Sequence, residues 1–167
     1  FSGAVTAEKF GSDVAWQQPY SSAESMKVID LTGDGQDELF IQNTQNVSVY
    51  NGEGTILWSF NYSQPKTSLG DVNNDGVEDI IVFYNGAVDV IINGQASTLA
   101  TGLSIGTPSR VSLIRFASGP QIVLGDSSSN LLALSMDGQP LWTMNMGSDE
   151  IRGMDDAKIS GRTYLAA

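Results

Sequence analysis

Two residue types recur along this chain on one ruler. Gly35, Gly76, Gly119 and Gly161 are separated by 41, 43 and 42 residues, and Trp16, Trp58 and Trp142 by 42 and 84. The absent tryptophan of the series falls at Ala100. Two independent markers with one period define a repeat of about 42 residues. A repeat of that length is one supersecondary unit, which cannot bury its apolar face alone and must stack on its neighbours.

The contents of the unit fix its type. In the first copy Ser25–Ile29 alternates or is apolar, Glu38–Gln42 follows an acidic loop, Val47–Tyr50 alternates, and Thr55–Phe60 comes after the turn Asn51-Gly52-Glu53-Gly54. A later copy repeats this with Gln121–Leu124, Leu131–Leu134, the turn Asp137-Gly138 and Pro140–Trp142. No stretch keeps a 3.6-residue apolar period over two turns, so the fold class is all-β. Four strands per 40–45 residues specify a β-propeller of four-stranded antiparallel blades. A sandwich also has frequent turns, yet gives no reason for one period in both Gly and Trp.

The phase of the repeat matters too. The chain opens with Ala4–Ala7, a turn near Gly11 and Val14–Trp16, which match the third and fourth strands, and closes with Ile151–Ala167, which match the first and second. The units are therefore about 1–20 plus 151–167 as one composite blade, 21–63, 64–107 and 108–150. Such a blade closes a ring without an open edge. The expectation is four repeats in a single domain, as a closed four-blade ring or an arc of a larger one.

Two units carry an acidic loop before the second strand. Asp71-Val72-Asn73-Asn74-Asp75-Gly76-Val77-Glu78-Asp79 runs into Ile80–Phe83, and Asp30-Leu31-Thr32-Gly33-Asp34-Gly35-Gln36-Asp37-Glu38 runs into Leu39–Ile41. Each puts oxygen-bearing side chains at positions 1, 3, 5 and 9 and glycine at 6. Calcium takes six to eight oxygen ligands at 2.3–2.6 Å, and a glycine accommodates the bend. An acidic turn without metal is the plainer reading, but its clustered carboxylates would repel one another. An EF-hand needs an acidic ligand at position 12, where this chain has Ile41 and Val82. The expected ligands are Asp30, Thr32, Asp34 and Glu38 in one loop and Asp71, Asn73, Asp75 and Asp79 in the other. Asp37 and Glu78 face solvent in this reading.

The other two units lack the set. Aligned on Gly119, the ligand positions hold Ile114, Phe116, Ser118 and Ile122; aligned on Gly161, they hold Asp156, Lys158, Ser160 and Tyr164. No metal is expected in either.

Composition narrows the function. The net charge is −11, with eight basic residues scattered along 167. Nucleic acid and anionic membrane surfaces are thus poor partners, because phosphate contacts need clustered Lys and Arg. Eight of the nineteen acids lie in the two loops. There is no cysteine from which to read a compartment, and no histidine to act as general base or transition-metal ligand. No apolar run reaches the ~20 residues of a membrane span. Beginning at Phe1, the sequence reads as a processed chain or a piece of a longer one. Weak calcium modules belong where calcium is millimolar, which points to a secreted or cell-surface (extracellular or periplasmic) location.

The loops resemble the FG-GAP/VCBS repeats, the calcium-loop blades also found in integrin α-subunit heads. Asp71, Asn73, Asp75, Gly76 and Asp79 match that family's loop position for position; Asp30, Asp34 and Gly35 match as well, with Thr32 and Glu38 as departures. The resemblance implies that position 7, Gln36 or Val77, supplies its backbone carbonyl, so that two Ca²⁺ ions are bound. The outer hairpins resemble, more weakly, the quinoprotein-like propellers.

The function expected is binding, adhesion or scaffolding at the cell surface, with calcium structural and with a protein or carbohydrate ligand. A structural subunit of a surface assembly or filament, formed by self-assembly, is the first alternative, and a calcium-dependent carbohydrate-active enzyme of the polysaccharide lyase type the second. No nucleophile is visibly paired with a base, so an enzyme is the less favoured class. The tryptophans are read as packing between sheets rather than as a sugar platform. Asp149-Glu150 and Asp155-Asp156 around Arg152 read as a charged surface loop. Asn46-Val47-Ser48 and Asn61-Tyr62-Ser63 fit the N-glycosylation pattern.

Overall fold

The computed structural model describes residues 2–8, 14–147, 154–159 and 162–166. They form sixteen strands, and no helix occurs among the described residues. The chain divides into two compact units, Phe1–Pro65 and Lys66–Ala167.

In the first unit, β1 (Ser2–Glu8) and β2 (Val14–Ser21) make a two-stranded sheet. Then β3 (Ser25–Ile29), β4 (Glu38–Gln42), β5 (Asn46–Tyr50) and β6 (Ile56–Asn61) make a four-stranded antiparallel sheet in sequence order. The second unit has two such sheets. One is β7 (Lys66–Gly70), β8 (Asp79–Tyr84), β9 (Ala87–Ile92) and β10 (Gln95–Ala100); the other is β11 (Pro108–Phe116), β12 (Gly119–Asp126), β13 (Asn130–Leu134) and β14 (Pro140–Asn145). A two-stranded sheet of β15 (Asp155–Ile159) and β16 (Arg162–Ala166) follows.

Burial grades across each sheet. The central strands β8 and β9 are buried on both faces, which explains their unbroken apolar runs, whereas β6 and β14 are largely exposed fourth strands. In the second unit the two four-stranded sheets pack face to face through Ile81, Phe83 and Val88 on one side and Val111, Ile122, Leu124 and Leu132 on the other. Gly70 lets their first strands approach closely, since a Cβ there would come within 2.7 Å of Leu113 Cδ2. Ile114, Val123, Leu131 and Ala133 bury the opposite face of β11–β14, with Trp142 and Met154 packed against them.

The tryptophans mark a structural position. Trp16, Trp58 and Trp142 pair with Ala7, Val49 and Ala133, the next-to-last residues of their third strands, and a β-bulge follows each pair. Ala100 is different. It pairs with Val88, near the start of β9. The hairpin here is the two-residue turn Asn93-Gly94, with φ of 45° and 71°, in place of the five-residue loops 51–55 and 135–139. The shorter turn starts β10 earlier, so Ala96, opposite Ile91, fills the tryptophan position.

Gly119 is likewise no loop glycine. It pairs with Phe116 across the two-residue turn Ala117-Ser118, and the extra residues lengthen β11 to nine and β12 to eight. Ile114 and Ile122 therefore lie in ladders rather than in a loop. Asp156 and Lys158 lie in β15. Ser160, Gly161, the turn near Gly11 and the stretch around Arg152 fall outside the described residues.

Candidate metal-binding loops

The two acidic loops fold alike, because each uses its own carboxylates to satisfy its own amides. In the first, Asp30 accepts from the backbone N–H of Thr32 (3.2 Å), Gly33 (2.6 Å) and Gly35 (2.9 Å), and Asp34 Oδ1 accepts from Gln36 N–H (2.8 Å). Glu38 Oε2 reaches back to Leu31 N–H at 2.8 Å. In the second, Asp71 accepts from Asp75 N–H (3.0 Å) and Gly76 N–H (3.1 Å). Asp75 Oδ1 accepts from Val77 N–H (2.8 Å), and Asp79 Oδ2 from Val72 N–H (2.9 Å). Asn73 Nδ2 donates to Asp75 Oδ2 at 2.8 Å. Three bonds are common to both: position 1 to amide 6, position 5 to amide 7, and position 9 to amide 2.

Backbone shape repeats as well. Gly35 and Gly76 have φ of +84° and +89° with open space around the missing Cβ, so glycine is required there by conformation rather than by crowding. Position 4 is also left-handed, with Gly33 at 75° and Asn74 at 62°. Asn74 tolerates this region better than most residues; the pairing of Gly33 with Asn74 was a second signal in the sequence.

Position 9 is the buried anchor. Glu38 and Asp79 are each 3% exposed. Burial raises the pKa of Asp79 against the opposing Val72 hydrogen bond, and the nearby charges of Asp75 and Asp71 raise it further. Asp30 is the reverse case, held below the ordinary carboxylate value first by the Gly35 amide. Asp34 and Asp75 are exposed, as are Gln36 and Asp37; Val77 and Glu78 are half-buried.

Asp71, Asn73 and Asp75 are joined directly by hydrogen bonds and Asp79 feels the charges of both acids, whereas Asp30, Asp34 and Glu38 engage separate amides. Among the described residues no group of three or more acidic side chains is gathered as a metal centre. The donor chemistry nevertheless suits a hard cation. Every candidate is an oxygen donor, and a carboxylate that accepts one N–H keeps further lone pairs. Thr32 Oγ1, at position 3, is a buried hydroxyl without a hydrogen-bond partner. Beside it lies an open cavity of about 650 Å³ lined by Asp34, Glu38, Asn51, Glu53 and Leu57.

One carboxylate not singled out by the repeat organises a different loop. Asp126, 1% exposed, accepts from the N–H of Gly106, Ser128 and Asn130 and from Asn130 Nδ2, at 2.8–2.9 Å. Asn43 does similar work, accepting from the amides of Gln45 and Asn46. The signal was an Asx residue at the end of a strand or just past it, a turn marker.

The fold places this chain among all-β proteins of β-propeller-like architecture. No family model matches the sequence, and no curated protein matches it. Among solved structures it is similar to BBS1N in complex with ARL6DN, soaked with lead, at a TM-score of 0.67 and 15% identity. That match covers 98% of this chain and 55% of BBS1N, so the chain spans about half the length of that structure. The mercury-soaked crystal of the same complex gives 0.65 and 16%. The V. cholerae biofilm matrix protein Bap1 is similar at 0.56 and 21% identity, over 80% of this chain and 23% of Bap1. At these identities the likeness is one of fold.

Proposed function

We propose that this chain is an extracellular, calcium-binding propeller module of the FG-GAP/VCBS type, acting in binding, adhesion or scaffolding. The observation that carries the reading is the duplicated loop. The same three carboxylate-to-amide bonds recur 41 residues apart, with Glu38 at position 9 of one loop and Asp79 at that of the other. Asp30, Thr32, Asp34 and Glu38, with the Gln36 carbonyl, would hold one ion. Asp71, Asn73, Asp75 and Asp79, with the Val77 carbonyl, would hold the other. An ion supplies the positive charge that the buried Asp79 and its acidic neighbours lack, tying the first strand of the sheet to the second.

A binding role is supported by the company the fold keeps: BBS1N was crystallised in complex with ARL6DN, and Bap1 is a biofilm matrix protein. A protein or carbohydrate at the cell surface is the class of ligand proposed. The test is calorimetric titration of EDTA-stripped protein with Ca²⁺, repeated for Asp34→Ala and Asp75→Ala. Two equivalents are expected for the parent chain and one for each variant. Absence of heat from the parent chain would reduce the loops to acidic turns and remove the calcium reading.

A further inference from the structure

The two acidic loops differ in their surroundings. In the second, Asn73 Nδ2 is taken up by Asp75 Oδ2, and Arg115 Nη2 donates to the Asp71 carbonyl. The first keeps its position-3 hydroxyl, Thr32 Oγ1, buried and without a partner, and it opens on the cavity of about 650 Å³. One wall of that cavity is the loop itself, and the other is the turn Asn51-Gly52-Glu53 with Leu57. Both walls are tied down. The loop is held by its carboxylate-to-amide bonds. The turn is held by Asn51 N–H to the Thr55 carbonyl (3.0 Å), Gly54 N–H to the Asn51 carbonyl (3.0 Å) and Trp16 Nε1 to the Gly52 carbonyl (3.1 Å). Small-molecule sites have volumes of about 300–1,000 Å³, and walls ordered beforehand lower the cost of binding.

The lining selects the ligand. Glu38 is 3% exposed, and of its two oxygens only Oε2 accepts a bond from the described residues, that of Leu31 N–H. Asn51 is fixed in the opposite sense. Its Oδ1 already accepts from the N–H groups of Glu53 (3.1 Å) and Thr55 (2.9 Å), so Nδ2 is the atom left for a ligand. The ligand must then accept as well as donate, which excludes an ammonium or guanidinium group. No basic side chain among the described residues lines the cavity, whereas Asp37 and Glu53 do, so a carboxylate or phosphate would meet like charge. A neutral hydroxyl meets both conditions.

We propose that this cavity binds a neutral sugar through an adjacent pair of hydroxyls, a step that rests on the calcium reading of the first loop. Counting one oxygen each, Asp30, Thr32, Asp34, Glu38 and the Gln36 carbonyl supply fewer than the six to eight donors that calcium takes. All but Asp30 line the cavity, so sugar oxygens complete the set from that side. Asp37 and Glu53, outside the set, accept the hydroxyl protons, and Asn51 Nδ2 donates to a further sugar oxygen. Leu57, 39% exposed, offers an apolar contact to the C–H face of the ring.

An array of neutral and acidic glycans, with lysine-rich peptides beside them, tests this when probed with the 167-residue chain in calcium and in EDTA. Neutral glycans are expected to be retained in calcium and released in EDTA. Asn51→Asp keeps the Oδ1 acceptor and replaces the Nδ2 donor alone. It should weaken binding of the retained glycan about tenfold, the worth of one hydrogen bond, while calorimetry still finds two equivalents of calcium. Glu53→Gln should weaken it likewise and decides the matter if Asn51→Asp misfolds. Two equivalents of calcium with no neutral glycan retained would overturn this inference and leave the calcium reading standing. Retention that survives EDTA overturns it, as does a preference for acidic glycans or basic peptides. So does a glycan held equally by the parent chain and the folded variants. Absence of calcium heat removes both readings together.

Discussion

Asp126 and Asp79 are both buried carboxylates, and their surroundings push them in opposite directions. Burial opposes ionisation of Asp126, but the bonds from Asn130, Gly106 and Ser128 together outweigh it and hold its pKa below the ordinary 3.8. A lowered folded-state pKa contributes stability that is present above the unfolded value and is lost as pH falls through the folded one. Urea denaturation should therefore show this contribution intact above about pH 4 and fading below it. Replacing Asp126 by Ala strands several amides, for an expected loss of about 3 kcal/mol, measured as a shift of the urea midpoint at neutral pH. Asp79 has the opposite sign. Its raised pKa means that, without metal, the site is better tolerated protonated, and that contribution disappears as pH rises through the folded value. Asp79→Asn should accordingly melt no lower than the parent chain in EDTA, yet lower than the parent in calcium. An Asn variant that melts lower in both would mean that the carboxylate serves the Val72 amide alone.

At the scale of elements, the five-residue loops 51–55 and 135–139 each join the third and fourth strands of one sheet. Gly54 and Gly138 stand at the same place in these loops, at φ of +78° and +82°, each closing a bond to the residue three before it, Asn51 or Ser135. A Cβ on Gly54 would lie 2.6 Å from Trp16 Cδ2, and one on Gly138 only 2.2 Å from the Leu99 carbonyl oxygen. Gly138→Ala combines left-handed strain with a clash against backbone, so a loss of about 2–4 kcal/mol is expected in denaturant titration. Gly102→Ala, at φ +66° with free space around it, should cost about 1 kcal/mol. Much of this level was legible in the sequence. Apolar alternation and the paired Gly and Trp markers located the strands of the first four-stranded sheet to within a residue; in the third they found β12, β13 and the start of β14 but placed no strand at β11. Ala100 and Gly119 misled for one reason: spacing counts residues, whereas a ladder counts pairs. A loop three residues shorter in one place and a strand lengthened in another leave the period intact while moving the position. The acidic loops were legible as oxygen donors at fixed spacing. Their wiring to amides 2, 6 and 7 was not, because backbone donors have no residue-type signature. Asp126 escaped because it lies off the repeat's acidic loops and its partners, Gly106 some twenty residues back and Ser128 and Asn130 just ahead, donate mostly through backbone amides.

For the whole molecule, the calcium proposed at the two loops is the lever on stability. Bound at a hundredfold excess over its Kd, an ion that ignores the unfolded chain stabilises by about 2.7 kcal/mol. That corresponds to roughly 5–10 °C per site for a chain of this size, so scanning calorimetry in calcium against EDTA should show a large upward shift. Asp34→Ala and Asp75→Ala should each forfeit about half of it. An equal shift in the parent chain and in both variants would mean that calcium acts elsewhere.

The order of the ladders has a consequence in time. Every ladder among the described residues joins strands that follow one another in the chain, as hairpins and meanders do. Contacts of such short span form early, so each sheet can assemble as it leaves the ribosome. The opening hairpin β1–β2 obeys the same rule: its ladder runs between Ser2 and Ser21, so it can close before β3 has been made.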